Sequence, residues 1–213
     1  MPRARRTDGD ATKQKILFAA SKLIAQNGFA KSSNKAIAQA AEVDLASINY
    51  HFKGREGLYQ AVITEAHSQY FDEKDLIALA ALDISAEEKL GLFFEKLTLN
   101  LLTGNTWYSQ ILIRELLTSS SRLDQFFKQD GNRKFLLILD MISEISGLSP
   151  NQPKILACML SVMAPCFMLI LAEINPLSPL HSVSKMDAQQ LATHLKTFSI
   201  AGLKAIKNQH SEN

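Results

Sequence analysis

A chain of 213 residues, 46% hydrophobic and 21% charged with a net charge of +2, has the make-up of an ordinary globular protein. That composition excludes a disordered, collagen-like or disulfide-dense chain, and the length allows one large domain or two modest ones. The charge is unevenly spread: residues 1–60 hold ten Lys and Arg against five Asp and Glu, and the rest thirteen against sixteen. A basic end on a slightly acidic body fits an anionic partner for the first part alone.

The opening "MPRARRTDGDATKQK" leads into no uninterrupted apolar run, so no signal peptide is expected. Residues 1–10 read as a basic, flexible tail, whose Arg3, Arg5 and Arg6 could reach a minor groove. Next, Ile16, Leu17, Ala20, Leu23 and Ile24 form the stripe of an amphipathic helix. Gly28 is placed to stop that helix in the left-handed conformation, with Phe29 folding back onto its last turn.

A second helix is expected over about 34–41, capped by Ser33 and turning Ile37, Ala38 and Ala41 inward. A third spans about 45–51. Asp44 is its expected cap, and Val43 with Ile48 its hydrophobic staple. It ends near Lys53-Gly54, and a long fourth helix then carries Leu58, Val62, Ile63, Ala66 and Tyr70. Further helices are expected at about 86–102, 107–119, 122–146, 152–174 and 186–207, with breaks at Gly104, 119–121, 147–150 and 175–182. No strand-like alternation or repeat is evident, so the chain reads as all-α.

Two short helices joined by "AEVD" after a longer supporting helix make a helix-turn-helix, whose second helix is the one expected in a DNA major groove. There Asn49, Tyr50 and His51 stand side by side, poor material for either core or plain surface. The Asn49 amide can pair with adenine, and the Tyr50 ring can lie against a thymine methyl. Ser47, His51, Lys53 and Arg55 carry donors suited to phosphates. Lys35, in the first turn of the second helix, joins this candidate DNA-binding set.

The stretches "ILFAASKLIAQNGF", "SSNKAIAQAAEV" and "ASINYHFKGREGLYQAV", in that order over residues 12–62, resemble the DNA-binding domain of TetR-family transcriptional regulators. "INYHF" followed by "REGLY" is most similar to the CecR-type subgroup. The resemblance implies an N-terminal DNA-binding domain over 1–60 and a larger helical effector-binding and dimerisation domain over 61–213. It implies base-side contacts from Ala46, Asn49 and Tyr50, and phosphate contacts from Ser33, Ser47, His51 and Arg55. Phe52 would seat the recognition helix. Two positions depart from the family pattern. Glu42 occupies a turn position usually filled by glycine, where a left-handed backbone is strained, and Leu45 follows the helix cap where a basic or polar residue is usual.

In the body, "ILACMLSVMAPCFMLILA" (155–172) is 18 residues without a charge. Pro165 near its middle and the lack of flanking Lys/Arg clusters or aromatic belts favour a central core or dimer helix over a membrane span. Cys158 and Cys166 would lie about 12 Å apart on one helix, too far for a disulfide, and read as buried thiols in a reducing compartment. The 152–174 helix and the last one, with Leu191, Leu195, Phe198, Leu203 and Ile206, offer more apolar surface than one small body needs, so a homodimer is expected. "IRELL" sets Arg114 and Glu115 inside an apolar helix, as an ion pair at a helix or subunit junction or, for Arg114, as a ligand contact. The resemblance also implies an effector pocket, for which Phe93, Phe94, Leu97, Trp107, Tyr108, Arg114, Phe127, Met141, Met159, Met163 and Phe167 are the candidates; rings beside flexible Met suit an apolar ligand.

No Gly-rich phosphate loop, HExxH or GxSxG is present, and no catalytic residue, metal or cofactor is expected. The expected function is a cytoplasmic, ligand-responsive, homodimeric repressor with a double-stranded DNA operator and a small-molecule effector as partners, and no membrane. The alternatives are a constitutive DNA-binding protein without an effector and an all-α enzyme.

Overall fold

The computed structural model describes residues 4–104, 106–118 and 131–211, and among them there is no strand. Four helices follow one another first: α1 (Ala4–Asn27), α2 (Asn34–Ala40), α3 (Leu45–Phe52) and α4 (Arg55–Tyr70). The body carries α5 (Glu73–Ala80), α6 (Ala86–Thr103), α7 (Thr106–Thr118), α8 (Asn132–Ser146), α9 (Pro153–Ile174) and α10 (Ala188–Ser211), with a 3-10 segment, Pro179–Lys185, before the last. The all-α class is as the sequence predicts, and shared helix ends agree to within a few residues. The helix expected over 122–146 is described from Asn132 onward; its earlier part and the break at 119–121 lie outside the described residues. The expected tail is helical from Ala4, while Arg3 lies outside the described residues.

Helix α5 is a surprise, since residues 71–85 carried no predicted element. Its signal is local: the Asp72 carboxylate accepts from the Lys74 amide at 2.8 Å, with Glu73 and Asp75 in the first turn where the helix dipole favours them. Eight residues leave room for two buried apolar side chains, Leu76 and Leu79, too few for a clear periodic stripe.

Packing divides the chain into two compact units, Met1–His67 with Asn105–Phe126, and Ser68–Gly104 with Phe127–Asn213. A single cut at residue 60 misses that α7 packs on α1. The core of the first unit combines Ile16, Ala20 and Ile24 of α1, Ile37 of α2, Ile48 and Phe52 of α3, Leu58, Val62 and Ile63 of α4, and Ile111 and Leu112 of α7. At about 1.5–3 kcal/mol for each large aliphatic side chain, this burial outweighs any single polar contact in the unit.

In the second unit, α6 packs along α10. Gly91 makes room there: a Cβ at that position would come within 2.9 Å of the Lys196 stem. Ser85 and Glu88 close a reciprocal capping box on α6. The chain leaving α4 is held by two side chains, Asn100 Nδ2 donating to the Tyr70 carbonyl at 2.9 Å and Lys134 Nζ to the Phe71 carbonyl at 2.8 Å. These bonds satisfy carbonyls that a helix end leaves open.

Helix α9 runs unbroken across Pro165. It is long and apolar enough to cross a membrane, yet it is two-sided. Ile155, Cys158, Val162, Cys166 and Ile170 are buried, whereas Leu156, Leu160, Phe167 and Met168 are exposed. Proline removes the amide that would bond the Ser161 carbonyl, and Ser161 lies on the exposed side, where water can serve it.

Candidate nucleic-acid interface

The expected helix-turn-helix forms from α2 and α3, and local chemistry sets each end. Ser33 caps α2, its hydroxyl accepting from the Ala36 amide at 3.1 Å. The turn between the helices passes through Glu42 at φ 55, so the strained left-handed geometry expected at this glycine-type position is present with a glutamate in it. Asp44 occupies the N-cap position of α3, but its carboxylate makes no capping bond. That correction has a simple basis: the backbone closes the turn, Ser47 N donating to the Asp44 carbonyl at 2.9 Å, while the exposed carboxylate stays in water. Lys53, at φ 58, ends the helix and Gly54 follows at φ 108.

Helical periodicity then sorts α3 into two faces. Ile48 and Phe52 are buried; Ala46, Asn49, Tyr50 and Lys53 share the opposite, exposed stripe, with Ser47 and His51 half-buried on its flanks. Tyr50 is 84% exposed, its ring edge-on to His51 with centroids 4.9 Å apart. Ser33 and Lys35 are exposed at the start of α2. Amide, phenol and ammonium groups on one open helix face can read base edges and hold phosphates.

Residues 16–62 match the family described as "Bacterial regulatory proteins, tetR family", and residues 86–203, more than half of the chain, match "HTH-type transcriptional dual regulator CecR, C-terminal domain". The chain belongs to the TetR family of transcriptional regulators, with a CecR-type C-terminal domain. This is a family of regulators and not of enzymes. Among curated relatives, the "Probable HTH-type transcriptional regulator YttP" of Bacillus subtilis (strain 168) is 36% identical over 80 residues, 38% of this chain and 39% of that protein. "HTH-type transcriptional regulator UidR" of Escherichia coli (strain K12) is 34% identical over 59 residues, 28% of this chain and 30% of that protein. The chain thus matches well under half the length of these relatives. Among solved structures, the fold is similar to FadR of Bacillus subtilis in complex with stearoyl-CoA (TM-score 0.69, 20% identity, 89% of this chain and 98% of that one). It is also similar to a TetR-like regulator from Rhodococcus sp. RHA1 (TM-score 0.66, 14% identity, 90% and 95%).

In this TetR-family chain Arg55 has a role that the sequence reading missed. Its Nη2 donates to the Phe29 carbonyl at 2.6 Å and to the Ala30 carbonyl at 3.3 Å, and the guanidinium lies 4.5 Å from the centre of the Phe29 ring. It is thus a brace between α4 and the α1–α2 loop. Gly57 was missed as well. A Cβ there would run into the Phe52 carbonyl, so the glycine of "REGLY" lets α4 pass directly against the end of α3. Phe52 itself is buried, in keeping with its expected seating role, and Lys13 of α1 stands 6.0 Å from its ring.

The candidate pocket residues fall into both units. Trp107, Tyr108 and Arg114 lie on α7 in the first. Trp107 meets Phe18 edge-on at 5.5 Å, and burial pushes the Tyr108 hydroxyl above its ordinary range, with the Glu65 charge acting the same way. Arg114 donates to the Ile24 and Ala25 carbonyls, 3.4 Å each, at the end of α1. In the second unit Phe93, Phe94, Leu97, Met141 and Met159 are buried, Met163 is half-buried and Phe167 is exposed. Phe93 stacks on Phe71 at 4.9 Å. Phe127 lies outside the described residues.

Proposed function

We propose that this protein is a homodimeric repressor that binds a palindromic operator through α3 and releases it when a small hydrophobic effector binds. The observation that carries the DNA-binding half is Tyr50: a large ring 84% exposed on a helix whose other face buries Ile48 and Phe52. Desolvating it against bases recovers what its exposure to water costs. Ala46, Asn49 and Lys53 share its stripe, and twofold symmetry of a dimer requires half-sites related by the same axis.

Dimer formation is supported by a second exposed apolar surface. Leu156 and Leu160 of α9 are 54% and 68% exposed, and Phe198 of α10 is 73% exposed. Gly202, one turn beyond Phe198, has open space where a Cβ would stand. The occupant with matching chemistry is a second copy of α9 and α10, which would cover these side chains isologously.

The effector reading draws on the apolar interior of the second unit, where Met141 and Met159 can repack around a guest beside Phe93, Phe94 and Leu97. FadR of Bacillus subtilis, of similar fold, is described in complex with stearoyl-CoA, so acyl thioesters belong in the first panel of compounds. As a regulator of transcription the protein works in the cytoplasm.

A gel shift of the full-length chain against the DNA upstream of its own gene, at near-physiological salt, tests the reading. A shifted band that random duplex does not compete away, and that an apolar compound dissolves, is expected. Equal affinity for operator and random duplex overturns sequence-specific regulation. Specific binding that no compound weakens establishes a constitutive DNA-binding protein.

A further inference from the structure

The first turn of α3 carries a side chain that neither the core nor the polar stripe accounts for. Leu45 opens the helix and is 51% exposed, although an isobutyl group gains nothing from contact with water. It stands at the edge of the exposed stripe, one helical turn before Asn49. Side chains on a helix lean toward its N-terminus, so Leu45 is the leading group of that face. In a helix-turn-helix, the N-terminal residues of the recognition helix are those that reach base edges.

The charges around Leu45 are of one sign. Glu42-Val43-Asp44-Leu45-Ala46 holds two carboxylates and no cation, and both carboxylates are exposed. Asp44 makes no capping bond, so its negative charge stands in solvent at the positive end of the helix and offsets it. Lys53 lies at the other end of the same face. A phosphate is thus favoured at the C-terminal end of α3 and disfavoured beside Leu45. Guanine presents two acceptors, N7 and O6, in the major groove, and a carboxylate repels both. Thymine presents a methyl group, which an apolar side chain can cover.

We infer that Leu45 reads the 5-methyl group of a thymine at one position of each operator half-site, and that the neighbouring carboxylates exclude guanine there. The inference rests on α3 being the recognition helix of a sequence-specific regulator. It adds to that reading a base preference at the leading end of the helix.

The test starts from a duplex selected out of a random-sequence library by the full-length protein. Each thymine is replaced in turn, in both half-sites, by deoxyuridine, which removes the methyl group and leaves the hydrogen bonds intact. At one position this should weaken binding about fourfold per half-site, as expected for one buried methyl-sized group. Leu45→Ala should bind the parent duplex several-fold more weakly and lose nothing further to deoxyuridine at that position. Leu45→Met, which keeps the apolar reach, should retain a penalty there. Guanine at the same position should cost more than deoxyuridine, and Asp44→Asn should shrink that cost. A half-site with no methyl-sensitive thymine overturns the assignment. So does a Leu45→Ala protein that keeps the parent's affinity, or its sensitivity to every thymine methyl. An unchanged guanine cost in Asp44→Asn overturns the role given to the carboxylates. If the library yields no preferred sequence, the regulator reading falls and this one with it, whereas a selected operator indifferent to Leu45 overturns this one alone.

Discussion

The Tyr59 hydroxyl on α4 donates a hydrogen bond to the Glu115 carboxylate on α7, and both residues are nearly sealed from water, at 2% and 3% exposure. Next to Glu115, Arg114 holds the carbonyls that end α1. The "RE" pair therefore has partners beyond itself. It ties α7 to two different helices of the DNA-binding unit. A Cβ at Gly28 would run into the Arg114 guanidinium, which gives that glycine a packing role beside its positive φ. Tyr59→Phe removes a donor to a buried carboxylate and should cost about 1.5–3 kcal/mol. Urea unfolding should show the lower midpoint at an unchanged slope.

Tyr50 and Arg55 should behave as opposites. Tyr50 has little packing to lose, so Tyr50→Ala should leave the melting temperature nearly unchanged while costing about 1–3 kcal/mol of operator binding and relaxing specificity. Arg55→Ala should lower stability by about 1–3 kcal/mol through its lost carbonyl bonds, and DNA affinity should fall with it for all sequences. Paired melts and gel shifts separate the two. An Arg55→Ala protein of full stability would show that the brace contributes nothing.

Gly57 sets how closely α3 and α4 meet. Gly57→Ala forces a methyl into the Phe52 carbonyl, and overpacking of this kind costs about 1–3 kcal/mol. Because the carbonyl belongs to the end of the recognition helix, operator affinity should drop by more than the stability loss alone explains. Comparing affinity at a temperature where the variant is fully folded makes the distinction.

The proposed dimer face has its own signature. Leu160→Glu with Phe198→Glu places two charges on side chains already 68% and 73% exposed, so a monomer would tolerate both. A twofold interface would not, because each charge is met again by symmetry. Sedimentation at micromolar concentration should show dimer for the parent and monomer for the double variant. Monomeric parent protein would refute the interface.

The thiols give a pH-dependent prediction. Burial pushes Cys166 up to about 12 and raises Cys158 in the same direction. Only the thiolate reacts, so both should resist alkylation at pH 8 in the folded protein and react promptly in urea. A raised acid pKa also means that the unfolded state ionises first. The Cys166 contribution to stability is thus full below pH 9 and declines between pH 9 and about 12. Cys166→Ala should flatten that decline in an alkaline unfolding series.

Residues close in the chain were legible without a structure, because their signals are local. The 3.6-residue stripe of α1, the Gly28 stop, the Ser33 cap and the Lys53-Gly54 end of α3 depend on backbone conformation within one or two turns. The exposed face of α3 follows from the same periodicity once Ile48 and Phe52 are taken as core. Tertiary structure decided what depends on meetings between distant segments. Arg55 looked like a phosphate donor because its guanidinium follows directly on the recognition helix; the carbonyls it holds are 25 and 26 positions away. Gly57 reads as a plain helix residue until the Phe52 carbonyl is seen beside it. Trp107, Tyr108 and Arg114 were grouped with a pocket that the family resemblance implies, and packing of α7 on α1 puts them in the first unit. Periodicity states which face of a helix is apolar. It carries no information on which of several apolar faces it will meet, and that choice rests on the combined shape and burial of the whole chain.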